Sequence, residues 1–193
     1  RILEMRRLIL ADNEEEIKIA LKLLLEFQEE DFYQMFQAVQ DKPMIIRLLD
    51  PPMHEFLPKD SHEIKLLAEK LHKSPEKLAR QIENLQESNP MLGHRGCRLG
   101  ITQPEIYKMQ AEAILRSAIR LHQEGLKIKP KIMIPLIADK KELDFVKSYL
   151  NEHIQCLFNE YEQKPYPYEI GTMIELPRAC LTADKLAQEA DFF

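Results

Sequence analysis

Along the first forty residues apolar side chains return at helical spacing, interrupted once at Ala11-Asp12-Asn13. Ile17, Ala20, Leu21, Leu24 and Leu25 mark one face of a long amphipathic helix running on towards Phe36 and Val39. Asp12 or Asn13 is placed to cap it, and Glu14-Glu15-Glu16 gives it an acidic first turn. The period then changes. Pro43-Met44-Ile45-Ile46-Arg47-Leu48-Leu49 is short and mostly apolar, and Asp50-Pro51-Pro52 closes it, the pattern of a strand buried on both faces. Two helical stretches are predicted between Ser61 and Ser88, the second capped by Ser74 with Pro75 at its first position. A further helix, capped by Thr102 and with Pro104 in its first turn, buries Ile106, Met109, Ala113, Ile114, Ala118 and Leu121 and stops at Gly125. Lys131 to Ile137 is the next buried strand, followed by a helix over about 140–160. Tyr168 to Glu175 reads as another strand, about 177–187 as a helix, and Ala190-Asp191-Phe192-Phe193 as a strand just beginning.

Strand and helix alternate, which argues for an α/β protein built of βα units on a parallel sheet. A complete eight-stranded barrel takes about 250 residues. With three strands expected and a terminal stub that would begin a fourth, the chain reads as a partial (β/α)8 TIM barrel, about half of one. Residues 1–40 form a helical lead-in and 59–88 a helical insertion within a single incomplete domain spanning 1–193.

Composition narrows the setting. The 193 residues are 45% hydrophobic and 31% charged, the balance of a soluble globular protein. Lys and Arg number 27 against 32 Asp and Glu, so a net charge of -5 offers no general attraction to nucleic acid or an anionic membrane. No apolar run approaches the roughly 18 residues that span a bilayer. The opening Arg1-Ile2-Leu3-Glu4 lacks an initiator Met and the apolar region of a signal peptide, so the chain reads as a soluble piece of something longer. Cys97, Cys156 and Cys180 are far apart with no ligand-like spacing, which points away from disulfides and zinc and towards a reducing cytoplasm.

Glycine is scarce, five in all, yet Gly93, Gly96 and Gly100 fall within eight residues and enclose Arg95 and Arg98. Reactive side chains of parallel α/β proteins gather at the carboxyl ends of strands. Three groups fit that position: Arg47 with Asp50 after the first strand, Arg95 with Arg98 in the glycine-rich segment, and Glu175 at the end of the third strand. Arg47 inside an apolar run needs an internal partner such as Asp50 or an anionic ligand. Arg95 and Arg98 could clamp a carboxylate or phosphate, since the guanidinium fork matches those planar oxygens; the alternative is a solvated or internally paired arginine. A carboxylate such as Glu175 would suit Mg²⁺, which takes one or two protein carboxylates and fills its shell with substrate oxygens and water. Together these groups describe a site for a small, highly anionic, metal-bound substrate.

The same segments carry a resemblance. Arg47-Leu48-Leu49-Asp50-Pro51-Pro52-Met53-His54-Glu55-Phe56-Leu57-Pro58, Asn89-Pro90-Met91-Leu92-Gly93-His94-Arg95-Gly96-Cys97-Arg98-Leu99 and Met173-Ile174-Glu175-Leu176-Pro177-Arg178-Ala179 resemble, in order, three signatures of the phosphoenolpyruvate/pyruvate barrel of the pyruvate phosphate dikinases. Phosphoenolpyruvate synthase and enzyme I of the sugar phosphotransferase system are less similar around the second segment and the Asp50-Pro51-Pro52 turn. The resemblance implies phosphoryl transfer between a phosphohistidine on a swivelling domain of the same parent chain and pyruvate, interconverting pyruvate and phosphoenolpyruvate. Arg47 and Arg95 match the arginines that neutralise the phosphoryl group and carboxylate, and Glu175 falls on the Mg²⁺ ligand; Asp50 and Arg98 are supporting. It implies a homodimeric parent. It also implies that a second metal carboxylate and the acid/base cysteine lie beyond Phe193, so no catalytic residue is assigned within the chain, which is expected to be inactive alone. None of the six histidines has a phosphohistidine motif around it. Competing readings are a Mg²⁺-dependent barrel lyase acting on 2-oxo acids and a non-catalytic interaction module that uses the long N-terminal helix and the insertion.

Overall fold

The computed structural model describes residues 1–40, 42–162, 165 and 167–193, and these fall into two compact units. The first comprises Arg1–Leu24 and Pro51–His94; the second comprises Leu25–Asp50 and Arg95–Phe193.

The first unit is helical. It contains α1 (Ile2–Ile9), the opening part of α2 (Glu14–Val39), a single 3₁₀ turn over Met53–Phe56, α3 (Ser61–Leu71) and α4 (Pro75–Asn84). Side-chain caps start α2, α3 and α4. Asn13 Oδ1 accepts the Glu16 amide at 2.9 Å, Asp60 accepts from His62 and Glu63, and Ser74 accepts from Lys77 with Pro75 behind it. Leu10, Leu57, Leu67, Ala68, Leu78 and Ile82 form the core. Beside it Lys73 reaches Asp12 at 3.0 Å and Glu16 at 2.9 Å, and Lys77 reaches Asp12 at 2.8 Å.

The second unit is α/β. Three strands, β1 (Met44–Arg47), β2 (Pro130–Ile134) and β3 (Glu169–Thr172), pair in parallel in that order, with Ile46 opposite Ile132 and Ile132 opposite Ile170. Those isoleucines and Ile134 fill the buried face of the sheet. The connections are α5 (Gly96–Thr102), α6 (Pro104–Gln123) and α7 (Lys140–Glu160), followed after β3 by α8 (Pro177–Leu181) and α9 (Ala183–Leu186). Helix α6 packs on β2 and on α7. It ends where Gly125 takes a left-handed φ of 93°. Helix α7 begins with a full capping box, in which Asp139 accepts from the backbone and Glu142 reaches back to it.

Several expectations need correction. The three expected strands form, but each is shorter than expected, and among the described residues they make an open sheet that is not closed into a barrel. The terminal stub does run beside β3: the Asp191 amide donates to Ile170 O, and the Thr172 amide to Phe192 O. Nor is the first strand buried on both faces, because β1 lies at the sheet edge and Ile45 is 48% exposed beside Arg47. Thr102 caps nothing. It lies within the last turn of α5, where its hydroxyl donates to Arg98 O, and Gln103 occupies the junction with α6. The helix expected over 177–187 is two short ones, parted at Thr182. Among the described residues no helix is long and apolar enough to cross a membrane.

Candidate functional site

All three strands are parallel, so their carboxyl ends lie at one edge of the sheet, and the segments leaving that edge carry the expected site residues. Arg47 is the last residue of β1. The chain continues for one more ladder bond, Leu48 N–H to Met133 O at 3.0 Å, and then leaves the sheet. Two buried side chains of α6 satisfy the next backbone groups: Gln110 Oε1 accepts the Leu49 amide at 2.8 Å, and the Tyr107 hydroxyl donates to Leu49 O at 2.9 Å. Burial pushes the Tyr107 hydroxyl far above its ordinary range, so it remains a donor. Its ring lies against Gly100, where a Cβ would come within 2.5 Å of it.

This anchoring delivers Asp50 to the start of α5 as a buried carboxylate. One oxygen, Oδ2, meets Arg95 Nη2 at 2.7 Å and Arg47 Nη1 at 3.4 Å. The backbone adds to the hold: Arg95 Nε donates to Asp50 O at 3.2 Å and the Gly96 amide donates to the same carbonyl at 3.1 Å. Asp50 thus bridges two guanidinium groups of different freedom, Arg95 with 15% of its side chain exposed and Arg47 with 48%. The second carboxylate oxygen, Oδ1, is buried with no hydrogen-bond partner among the described residues. Arg47 is therefore not the buried cation expected from its apolar run: it projects from the exposed face of an edge strand and also touches Met173 Sδ at 3.8 Å.

The third group leaves the same edge from β3, the last strand of the order. Glu175 does not end β3, which stops at Thr172, but follows it by three residues. The Met173 amide still bonds Ile134 O at 3.2 Å, which carries the chain along β2. Glu175 Oε1 then accepts the Leu136 amide at 2.7 Å. Leu136 holds a left-handed φ of 65°, rare for a branched side chain. Its neighbour is α5. A Cβ on Gly96 would come within 2.7 Å of the Leu136 Cβ, so glycine is what lets the two segments touch. Arg98 sits half-buried one turn along α5, while the carboxylate of Asp50 is engaged by Arg95 and Arg47.

Among the described residues no group of three or more His, Cys, Asp or Glu could hold a metal ion. The donor set fits a divalent cation only as a partial site, one exposed carboxylate oriented by a backbone amide, with substrate oxygens and water left to complete the shell.

Three contributors went unread in the sequence: Tyr107, Gln110 and the loop residue Leu136. Gln110 carried a signal, a polar side chain adjoining the apolar face of α6. Leu136 carried none, since nothing local calls for a left-handed leucine.

The family described as "PEP-utilising enzyme, PEP-binding domain" matches residues 4–193. The chain is 46% identical over 194 residues to the pyruvate, phosphate dikinase of Clostridium symbiosum and 47% identical over 193 residues to that of Giardia intestinalis, covering 100% of the chain and 22% of each relative. The chloroplastic pyruvate, phosphate dikinase of Mesembryanthemum crystallinum is 43% identical over 195 residues, 20% of its length. The chain thus spans about a fifth of the length of these relatives.

Proposed function

The chain belongs to the PEP-utilising enzymes, in their PEP-binding domain, and from that premise we propose that it forms part of the phosphoenolpyruvate and pyruvate site of a pyruvate, phosphate dikinase. The observation that carries this reading is the arginine pair bridged by Asp50 at the carboxyl end of a parallel sheet. Phosphoenolpyruvate presents a phosphoryl group and a carboxylate close together, and guanidinium forks match both. Arg95 is held through two of its nitrogens and acts as the fixed donor; Arg47, half in solvent, is the adjustable one.

In this reading the two arginines neutralise charge on the phosphoryl group as it passes between pyruvate and a phosphohistidine carried on another domain of a longer chain. Asp50 keeps the Arg95 fork oriented towards the strand ends. Glu175, aimed by the Leu136 amide, would be one ligand of Mg²⁺, which when bound supplies Lewis-acid stabilisation of charge on the keto oxygen. The partial barrel, with residues 59–88 as an insertion, the homodimer, and the acid/base cysteine beyond Phe193 belong to the same proposal.

The test uses a full-length enzyme carrying this segment and follows the two half-reactions separately. Arg95→Lys, which keeps the charge next to Asp50 but loses the fork, and Glu175→Gln should each slow phosphoryl exchange with pyruvate by about a hundredfold. Nucleotide-dependent phosphorylation of the histidine should stay at the wild-type rate. Equal loss of both half-reactions, or loss of neither, would overturn the reading.

A further inference from the structure

Cys97 is fully buried on α5, and its hydrogen bonds connect the arginine side of the candidate site to the carboxylate side. Its backbone amide donates to Pro135 O at 3.1 Å, and its thiol donates to Leu136 O at 3.1 Å. One residue earlier the Gly96 amide holds Asp50 O, and on the far side of the same peptide unit the Leu136 amide donates to Glu175. A continuous path therefore runs from Asp50 through the first turn of α5 into the loop after β2 and on to Glu175.

We propose that Cys97 is a positioning residue for Glu175: its thiol and amide clamp the Pro135–Leu136 segment in the left-handed turn that directs the Leu136 amide at the Glu175 carboxylate. A branched residue keeps a positive φ only where its surroundings over-determine it. Here the surroundings are the two bonds from Cys97, the bond to Glu175 and the gap left by Gly96. Burial pushes the thiol up to about 12, so it remains protonated and able to donate at any working pH. The thiol is a weak donor, but its contact with Leu136 O is buried, and together with the Cys97 amide on Pro135 O it holds both carbonyls that flank the Leu136 Cα. The role is directed at the carboxylate that the proposed function makes a Mg²⁺ ligand, and it rests on that reading for its consequence, not for its geometry.

The experiment reads the two separately on the 193-residue chain. Amide hydrogen exchange, measured by NMR on the ¹⁵N-labelled protein, follows the Leu136 amide with Ile132 as an internal control. Cys97→Ala should speed Leu136 exchange on the order of tenfold, and Glu175→Gln should do likewise, while Ile132 is unchanged. Cys97→Ser, which restores a donor of similar size, should return Leu136 to within about twofold of wild type. Wild-type exchange at Leu136 in Cys97→Ala, or no rescue by serine, overturns the proposal whatever the metal does. Should Cys97→Ala fail to fold, Cys97→Val and Cys97→Ser give the same comparison, with valine filling the space but donating nothing. Mn²⁺ titration of the same proteins reads the consequence: Glu175→Gln and Cys97→Ala should weaken binding several-fold and Cys97→Ser should not. Mn²⁺ binding that ignores Glu175→Gln would remove the metal reading while leaving the Leu136 result to stand or fall alone.

Discussion

Asp50, Arg95 and Arg47 form one cluster but cannot contribute equally to stability. Asp50 and Arg95 are largely withdrawn from water, so deleting the arginine leaves a buried carboxylate facing only the weaker, longer contact to Arg47. Arg95→Ala should cost unit 2 about 3–5 kcal/mol, as breaking a buried pair does. Arg47→Ala removes a half-exposed partner at 3.4 Å and should cost less than about 1 kcal/mol. Hydrogen exchange at Ile132 and Ile134 under increasing urea reports the difference, because both lie in the buried face of β2. Equal losses would mean that the bridge is not asymmetric. The same contrast explains the choice of lysine rather than alanine at position 95 in any functional test.

At the scale of elements, the charges that join the turn before α2 and its first residues to the start of α4 in the first unit make its stability depend on pH. Hydrogen bonds from Lys77 and Lys73 hold Asp12 down at about 2. A carboxylate whose folded value lies below its unfolded one stabilises the fold above the unfolded value, and that contribution is lost as the pH falls through the folded one. The loss should therefore fall between about pH 4 and about pH 2. Lys73 acts at the alkaline end instead: burial pulls it down, but Glu16 and Asp12 outweigh this, its net shift is upwards, and its contribution is lost only as the pH rises through its folded value. Asp12→Asn should flatten the acid limb of a thermal-melt series and leave the neutral-pH Tm only slightly lower, since Asp12 is one-third exposed and its pairs are screened. An unchanged acid limb would place the sensitivity elsewhere.

At the scale of the whole molecule, the sheet of unit 2 ends in an open edge. On its β3 side the backbone at Asp191 and Phe192 continues the bonding, but beyond β1 no strand pairs among the described residues, and Ile45 stands exposed there. Unpaired edges with apolar side chains invite association with another chain. The 193-residue protein should self-associate with rising concentration in sedimentation velocity, and Ile45→Lys should suppress it, because a charge at an edge opposes pairing. Self-association unaffected by the lysine would assign it to another surface.

Much of this architecture was legible in the amino-acid sequence, wherever the cause is local. The helix over 140–160 was readable from its period and its length, and α4 because Ser74 and Pro75 define its first turn. The parallel sheet followed from the alternation of period two and period 3.6, and the place proposed for the site followed from it, since reactive side chains collect at the carboxyl ends of such strands. What only the tertiary structure decided are the relations between segments far apart in the chain. No spacing announces that Asp50 carries both arginines on one oxygen, that β1 is an edge and leaves Arg47 half in water, or that Leu136 turns left-handed to meet Glu175. Hydrophobic period depends on a residue's neighbours within one turn or one pleat, whereas an ion pair or a strained φ is set by whatever the fold places opposite it. For that reason the charged residues of the candidate site could be picked out along the chain, and their geometry and the side chains that support them could not.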